Sequence, residues 1–381
     1  MKVIVSDVDS RKGFDLVNIM NRFYGYECIL SAPRDYNFQL PIIYRQNIYP
    51  LRSLSYDVFE KDLSKLLELF RGDSLVYLPV SERPTRLLYA FIEKNGKPEY
   101  LHFLLPDKEI FELTSDKGSF QQYCELHHYP VPKSFLKNEV FSRDFSFIPL
   151  IAKPISGEGS VGIKHIDRPD QLDLLKSLDA SKHIIQEKIQ GERKVAGAFY
   201  LCKDGDILCQ YTHQRIRTFP ENGGVTVYSK SGNNNEILSI GANLLHSLNW
   251  NGLAMIEFIQ DSRTKEWKMI ELNPRLWGSA LLSAFNQSRM LDNFVKSCTE
   301  QAKSSVSSSK RAKTTYIRWW FPFEVFSFLK GNLSLRELFT LNTKNTCYIN
   351  FSYASFTSSL AYLTYFIFNV RSIKRFFKKL I

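Results

Sequence analysis

Residues 151–163 read IAKPISGEGSVGI. A short apolar run carries Lys153, Pro154 stops it, and Gly157, Gly159 and Gly162 follow before the chain turns apolar again. Small residues let backbone N–H groups approach an anion closely, and a lysine at the base of the loop adds a point charge. The stretch therefore reads as a phosphate cradle. No Gly-Lys-Ser/Thr closes it, so it is not a Walker loop, and the GxGxxG spacing carries none of the reading. Taken alone, a strand, a glycine loop and a strand read first as an ordinary hairpin. The rest of the chain has to decide.

The segment from Asn251 to Arg275, NGLAMIEFIQDSRTKEWKMIELNPR, carries the second chemical signal. Two apolar runs, Leu253 to Gln260 and Trp267 to Leu272, flank a polar loop and are expected to form a β-hairpin. With the turn centred near Thr264, Glu257 falls opposite Glu271, and Asn273 shares their face. Two carboxylates and an amide inside apolar strands are costly to bury unless a cation neutralises them. Magnesium prefers oxygen ligands and commonly keeps one or two carboxylates together with substrate phosphates. The alternative is that one or both glutamates face solvent on a one-sided sheet.

Upstream, Val3 to Val5 is a β-branched run, and Phe14, Val17, Ile19, Met20 and Phe23 recur at helical spacing before Gly25 and a second strand at Cys28 to Leu30. Helices are expected over Val58 to Phe70 and Glu82 to Glu93, with a buried strand, SLVYLPV, between them. Repeated β-then-α units imply a parallel sheet with a crevice at its strand ends, where Ser81 and Glu82 lie. After Thr114 a helix capped near Ser115 carries Lys117 in its first turn, where a cation is locally unfavourable. Further along, a helix is expected over Pro169 to Leu178 and a strand over His183 to Ile189. Arg215 and Arg217 flank Ile216 in HQRIRTFPENGGV, so an extended segment would turn both to one side. Paired guanidinium forks there suit a carboxylate, and a surface pair on an edge strand is the alternative.

Lys117 in SDKGSF, Lys153 in IAKP, the SGEGSVGI loop, IIQEKIQGE, and IEFIQ with IELNPRLWGS follow one another in the order and approximate spacing of the ATP-grasp superfamily, which the chain resembles over about residues 1 to 290. HQRIRTFPENGGV with ELNPR looks most like its carboxylate-amine ligase branch, related to carbamoyl-phosphate synthase and D-aspartate ligases. The resemblance implies a mixed α/β and α+β fold: a Rossmann-like domain over 1–112, an ATP-grasp domain over 113–300 and a basic, aromatic-rich C-terminal extension over 301–381. It implies that Lys117 and Lys153 hold ATP phosphates, and that Ser156, Gly157, Gly159, Ser160, Val161 and Gly162 cover them. It further implies that Glu187, Lys188 and Ile189 read adenine and Glu192 the ribose. Glu257, Glu271 and Asn273 would ligate Mg2+, or Mn2+ in its place, and Arg275 would steady the transferred phosphate. Arg215 and Arg217 are the candidates for the carboxylate substrate. The implied reaction activates a carboxylate as an acyl-phosphate, which an amine then attacks. His213 could help deprotonate that amine, against a structural role. The alternative function is a non-catalytic or differently coupled ATP-binding protein held at a membrane by its tail.

Composition limits the partners. The net charge of +11 resides in the C-terminal part, since residues 1–300 carry 37 basic and 37 acidic side chains while residues 301–381 hold 13 Lys/Arg against Glu324 and Glu337. The core therefore lacks the basic excess of a nucleic-acid binder. The partners expected are small carboxylates and amines, with the homo-oligomeric state left open. Six scattered cysteines with no CxxC pair fit free thiols in a reducing compartment, and the charged N-terminus lacks a signal-peptide core, so the cytoplasm is expected. Residues 345–370 carry no charge, but their Ser, Thr, Asn and Tyr interrupt the roughly twenty apolar residues a spanning helix needs. Two readings of the tail stay open: a helical lobe packed on the core, or an interfacial helix on an anionic membrane face.

Overall fold

In the computed structural model the chain is described over residues 1–32, 48–157, 162–190, 194–219, 224–285, 288–299, 314–340 and 347–349. Apolar runs alternating with amphipathic helices build a five-stranded sheet from β1 (Lys2–Val5), β2 (Glu27–Ala32), β3 (Ile48–Pro50), β4 (Leu75–Leu78) and β5 (Leu101–His102). Its order is β3-β2-β1-β4-β5, every pair parallel. Helices Arg11–Asn18, Tyr56–Leu69 and Glu82–Asn95 connect or follow the strands. Val3 and Val5 pack on one side with Leu16 and Met20, while Ile4 packs on the other with Phe59, Leu63 and Leu88. Both faces are thus covered, which is why these strands read as continuous apolar runs.

A four-stranded antiparallel sheet follows, in the order β6-β9-β7-β8, from β6 (Ser134–Phe135), β7 (Leu150–Pro154), β8 (Lys164–Ile166) and β9 (His183–Glu187). The expected helix over Pro169 to Leu178 is only a tight turn, Pro169–Leu172, and one helical turn, Asp173–Lys176. Leu175 is its fully buried side chain, so it lacks the apolar stripe that sustains a longer helix. The helix carrying Lys117 spans Lys117–Leu126, and its cap is Asp116 rather than Ser115: Ser115 closes the preceding helix, and the Asp116 carboxylate accepts from the Ser119 N–H at 2.8 Å.

The largest sheet has seven strands: β10 (Val195–Lys203), β11 (Asp206–Phe219), β12 (Val225–Gly232), β13 (Gly252–Gln260), β14 (Trp267–Asn273), β15 (Tyr316–Arg318) and β16 (Cys347–Ile349). They run in the order β14-β13-β10-β11-β12-β15-β16, antiparallel except for the last pair. One face packs on the helix Asn235–Ser247 through Tyr200, Ile237, Leu244 and Ile256, and the other carries Phe199, Tyr211 and Trp277 into the core shared with the parallel sheet. The C-terminal segment adds β15 to the edge of this sheet, and Trp319 clusters there with Phe219, Val227 and Phe14. Residues 301–313, 341–346 and 350–381 of the tail lie outside the described residues, and the two readings of its uncharged stretch lie there with them. Among the described residues no helix is long and apolar enough to cross a membrane, and Cys28, Cys124, Cys202, Cys209 and Cys298 are free thiols.

Candidate active site

The hairpin β13–β14 sets Glu257 directly opposite Glu271. The register shifts immediately beyond this pair, for Phe258 faces Met269, so Ile270 is the extra residue of a β-bulge. The carbonyl that Ile270 keeps out of the ladder accepts a hydrogen bond from Lys153 Nζ at 3.0 Å. A backbone irregularity in one sheet thereby seats a lysine from another. Lys117 Nζ, from the first turn of its helix, donates to the Gly157 carbonyl at 2.9 Å and lies 3.9 Å from Glu271 Oε2. The Asn273 side chain donates to Glu271 Oε1 at 3.0 Å.

Charge in this group is finely divided. Burial pushes the Glu257 carboxyl up from its usual range against the pull of Arg215, and Glu271 adds to the rise. Burial presses Glu271 the same way, but Lys117, the Asn273 amide, Lys153 and Arg275 together hold it below the ordinary value. Burial also brings the Lys153 ammonium down to about 8, against the attraction of Glu271. Two carboxylates in register inside a ring of cations form an oxygen-only donor set, and with the Asn273 amide it matches what a hard divalent cation takes. Among the described residues no group of three His, Cys, Asp or Glu gathers to hold a metal; the third donor in the set is the amide.

The remaining expected residues are spread over several elements. Gly157 and Gly162 both have left-handed backbone, φ 118° and 81°, which explains glycine at each end of the loop, and Ser156 is exposed beside Gly157. Gly159, Ser160 and Val161 lie outside the described residues, and so does Glu192. Glu187, at the end of β9, accepts from Lys268 Nζ at 2.6 Å and from the Lys133 N–H at 3.0 Å. The Lys188 N–H donates to the Pro149 carbonyl, its ammonium pairs with Asp167, and Ile189 is buried. Arg275 Nε is 3.0 Å from Glu82 Oε1, so the crevice at the end of β4 meets the end of β14.

Two expectations are corrected. Arg215 and Arg217 do not form one fork: Arg215 faces Ser229 and Arg217 faces Tyr228, so Ile216 is a bulge residue that breaks the alternation. Arg215 Nη2 donates to Glu257, whereas Arg217 pairs at 2.8 Å with Glu324 and lies over the Tyr228 ring. His213 is not poised as a base. Burial, with Arg215 nearby, lowers it to about 3, and its Nδ1 shares a hydrogen bond with Ser279 Oγ at 2.8 Å. It joins β11 to the loop after Arg275, a structural role.

Several participants carry no motif. Gly197 faces both His213 and Glu257, and a Cβ there would come within 2.9 Å of His213 Nε2 and Phe199 Cζ. Lys268 holds Glu187 from the same strand as Glu271, a position that period-2 alternation does not single out. Ser81 follows β4 as expected, but its hydroxyl donates to Asp7 Oδ2 at 2.5 Å instead of capping the helix Glu82–Asn95.

Residues 114–279 match the family model of the ATP-grasp domain. No curated protein matches the chain in sequence. Among solved structures, the biotin carboxylase β-γ-ATP complex from Campylobacter jejuni is similar to it at 14% identity and TM-score 0.63, over 83% of this chain and 74% of that one. The biotin carboxylase domain dimer of the Hydrogenobacter thermophilus 2-oxoglutarate carboxylase, in complex with MgADP, ADP and bicarbonate, is similar at 12% and 0.63, over 83% and 72%. The L-amino acid ligase from Bacillus licheniformis is similar at 13% and 0.56, over 83% and 78%. At these identities the likeness is one of fold.

Proposed function

We propose that this chain, whose residues 114–279 match the ATP-grasp domain, is an ATP- and Mg2+-dependent ligase that activates a carboxylate as an acyl-phosphate and joins it to an amine. The observation that carries the reading is the opposed Glu257–Glu271 pair with Lys117, Lys153, Arg215 and Arg275 around it. A merely structural hairpin has no need of two facing acids, one buried and one partly buried, among four cations, since a charge withdrawn from water is costly. The similar structures include an L-amino acid ligase and a biotin carboxylase domain described with MgADP and bicarbonate. The division into 1–112, 113–300 and 301–381 is proposed with it.

In this reading Lys117 and Lys153 bind the ATP phosphates, and Glu257, Glu271 and Asn273 hold Mg2+. The ion would neutralise charge on the transferred phosphoryl group. Glycines at the ends of the 156–162 loop allow it to lie over the phosphates, excluding water that would compete with the amine. Glu187, Lys188 and Ile189 would line the adenine and Glu192 the ribose. Arg275, oriented by Glu82, would steady the phosphoryl group and Arg215 the carboxylate. Phosphoryl transfer needs positioning and charge neutralisation more than covalent help, so no protein nucleophile is required.

The test is ADP release with Mg2+ and ATP over pooled carboxylates crossed with pooled amines, with Glu271→Gln as the blank. Release that requires one pool of each kind supports the ligase. Release with a carboxylate alone, unaffected by any amine, would refute amide formation.

A further inference from the structure

We infer that Arg215 is a metal-responsive latch: with no cation bound it neutralises Glu257, and when a divalent cation takes Glu257 it is released to capture an anionic substrate. The inference rests on the reading of Glu257 and Glu271 as the cation site.

Three observations carry it. Arg215 Nη2 donates to Glu257 Oε1, and the two side chains are only 16% and 12% exposed. A guanidinium thus contacts a carboxylate assigned to the cation. Like charges do not share one buried carboxylate oxygen without cost, so cation and guanidinium compete for Glu257. Secondly, Arg215 Nε is buried with no hydrogen-bond partner among the described residues. A guanidinium presents five donors in a fixed fork, and one left bare marks an arrangement that satisfies Arg215 incompletely. Thirdly, the other cations are anchored elsewhere. Lys153 is on the Ile270 carbonyl, Lys117 is on the Gly157 carbonyl near Glu271, and Arg275 is on Glu82.

The backbone allows the exchange. Arg215 shares a face with His213, and the row His213, Gly197, Glu257 crosses three strands with glycine in the middle. With no side chain on Gly197, Arg215 can reach past β10 to Glu257. Arg215 also directly precedes the bulge at Ile216, where the regular alternation of β11 breaks. A planar fork there suits a carboxylate or carboxyphosphate oxyanion. The site therefore takes the metal-nucleotide before the anion, and by reciprocity the anion tightens the metal.

The experiment uses Mn2+ as the metal probe, with ADP present and free Mn2+ read by electron paramagnetic resonance. Wild type is expected to bind Mn2+, and Arg215→Gln to bind it about tenfold more tightly because the competing charge is gone. Glu257→Gln should bind it weakly. Equal or weaker binding by Arg215→Gln, with wild type still binding and Glu257→Gln impaired, overturns the latch and leaves the cation site standing. Absence of Mn2+ binding in wild type overturns both. A second measurement needs no variant: phenylglyoxal labelling of Arg215, quantified by mass spectrometry of its peptide, with ADP alone and with Mn2+ and ADP. Labelling should rise severalfold with the metal, and unchanged or reduced labelling overturns the latch.

Discussion

Lys153 shows how one residue's environment sets a pH dependence with two opposite signs. Burial lowers its ammonium to about 8 from an ordinary 10.5, so the fold disfavours the charged form. That penalty is fully present below pH 8 and vanishes as the pH rises past 10.5, so Lys153 makes the nucleotide-free protein relatively more stable across that window. In the proposed role of Lys153, ATP binding draws on the charged form, so its affinity should hold below pH 7 and fall above pH 8. Melting temperatures and ATP titrations of wild type and Lys153→Met across pH 7 to 10 check both signs. The melting-temperature advantage of Lys153→Met should shrink with pH, and the ATP-affinity advantage of wild type should shrink as well. His213 gives the converse case. Held near 3, it is neutral throughout the working range. His213→Gln should therefore leave the shape of the pH–rate profile unchanged while lowering stability through loss of the Ser279 hydrogen bond, by about 1 kcal/mol. Lys153 was legible because a lysine before a glycine loop is a local signal. The state of His213 was not, because it depends on burial against Phe199, itself packed on Trp277, which sequence spacing does not reveal.

At the level of elements, the hairpin β13–β14 was the most legible part of the chain. Alternating apolar residues and a polar turn fix the register, and Glu257 faces Glu271 as the spacing requires. What alternation did not show is the bulge at Ile270, and with it the carbonyl that receives Lys153. On β11 a similar bulge at Ile216 defeated the expectation for Arg217, because one inserted residue re-aims the side chains beyond it. The helix expected over Pro169 to Leu178 failed for a different reason, the want of a buried stripe. Gly197 provides the test at this scale. Its Cβ would have to displace His213 and Phe199, both buried, so Gly197→Ala should cost about 1–3 kcal/mol in chemical denaturation. The same substitution should weaken metal-nucleotide binding, since His213 and Glu257 flank that position. Binding unchanged from wild type would detach Gly197 from the site.

Across the whole molecule, the ring of charges draws on every sheet. Glu82 follows β4 of the parallel sheet, Lys153 comes from the four-stranded sheet, and Arg215, Glu257 and Glu271 from the seven-stranded one. The C-terminal segment is tied in by a second buried cluster. Glu324, with no exposed surface, accepts from Arg217 at 2.8 Å and from Arg318, and both guanidiniums lie over Tyr228. Arg318 also donates to the Thr340 carbonyl at 2.8 Å. Composition alone places the excess charge in residues 301–381. The partnership of residues 107 positions apart was beyond local pattern. Breaking a buried ion group from one side strands the remaining charges, so Glu324→Ala should cost about 3–5 kcal/mol, measured by urea unfolding. A change below about 1 kcal/mol would mean that the C-terminal segment is dispensable to the core.

If Lys153, Glu257 and Glu271 form one metal-nucleotide site, calorimetric titration of MgATP into wild type, Lys153→Met and Glu271→Gln should separate the three proteins. Each loss of a charge-assisted contact is expected to weaken binding by about 2 kcal/mol, or about 30-fold. Removing magnesium should weaken wild type strongly and Glu271→Gln much less, because that variant has already lost its hold on the ion. Equal affinities in all three proteins, or a magnesium dependence that survives intact in Glu271→Gln, would mean that these side chains do not share a site.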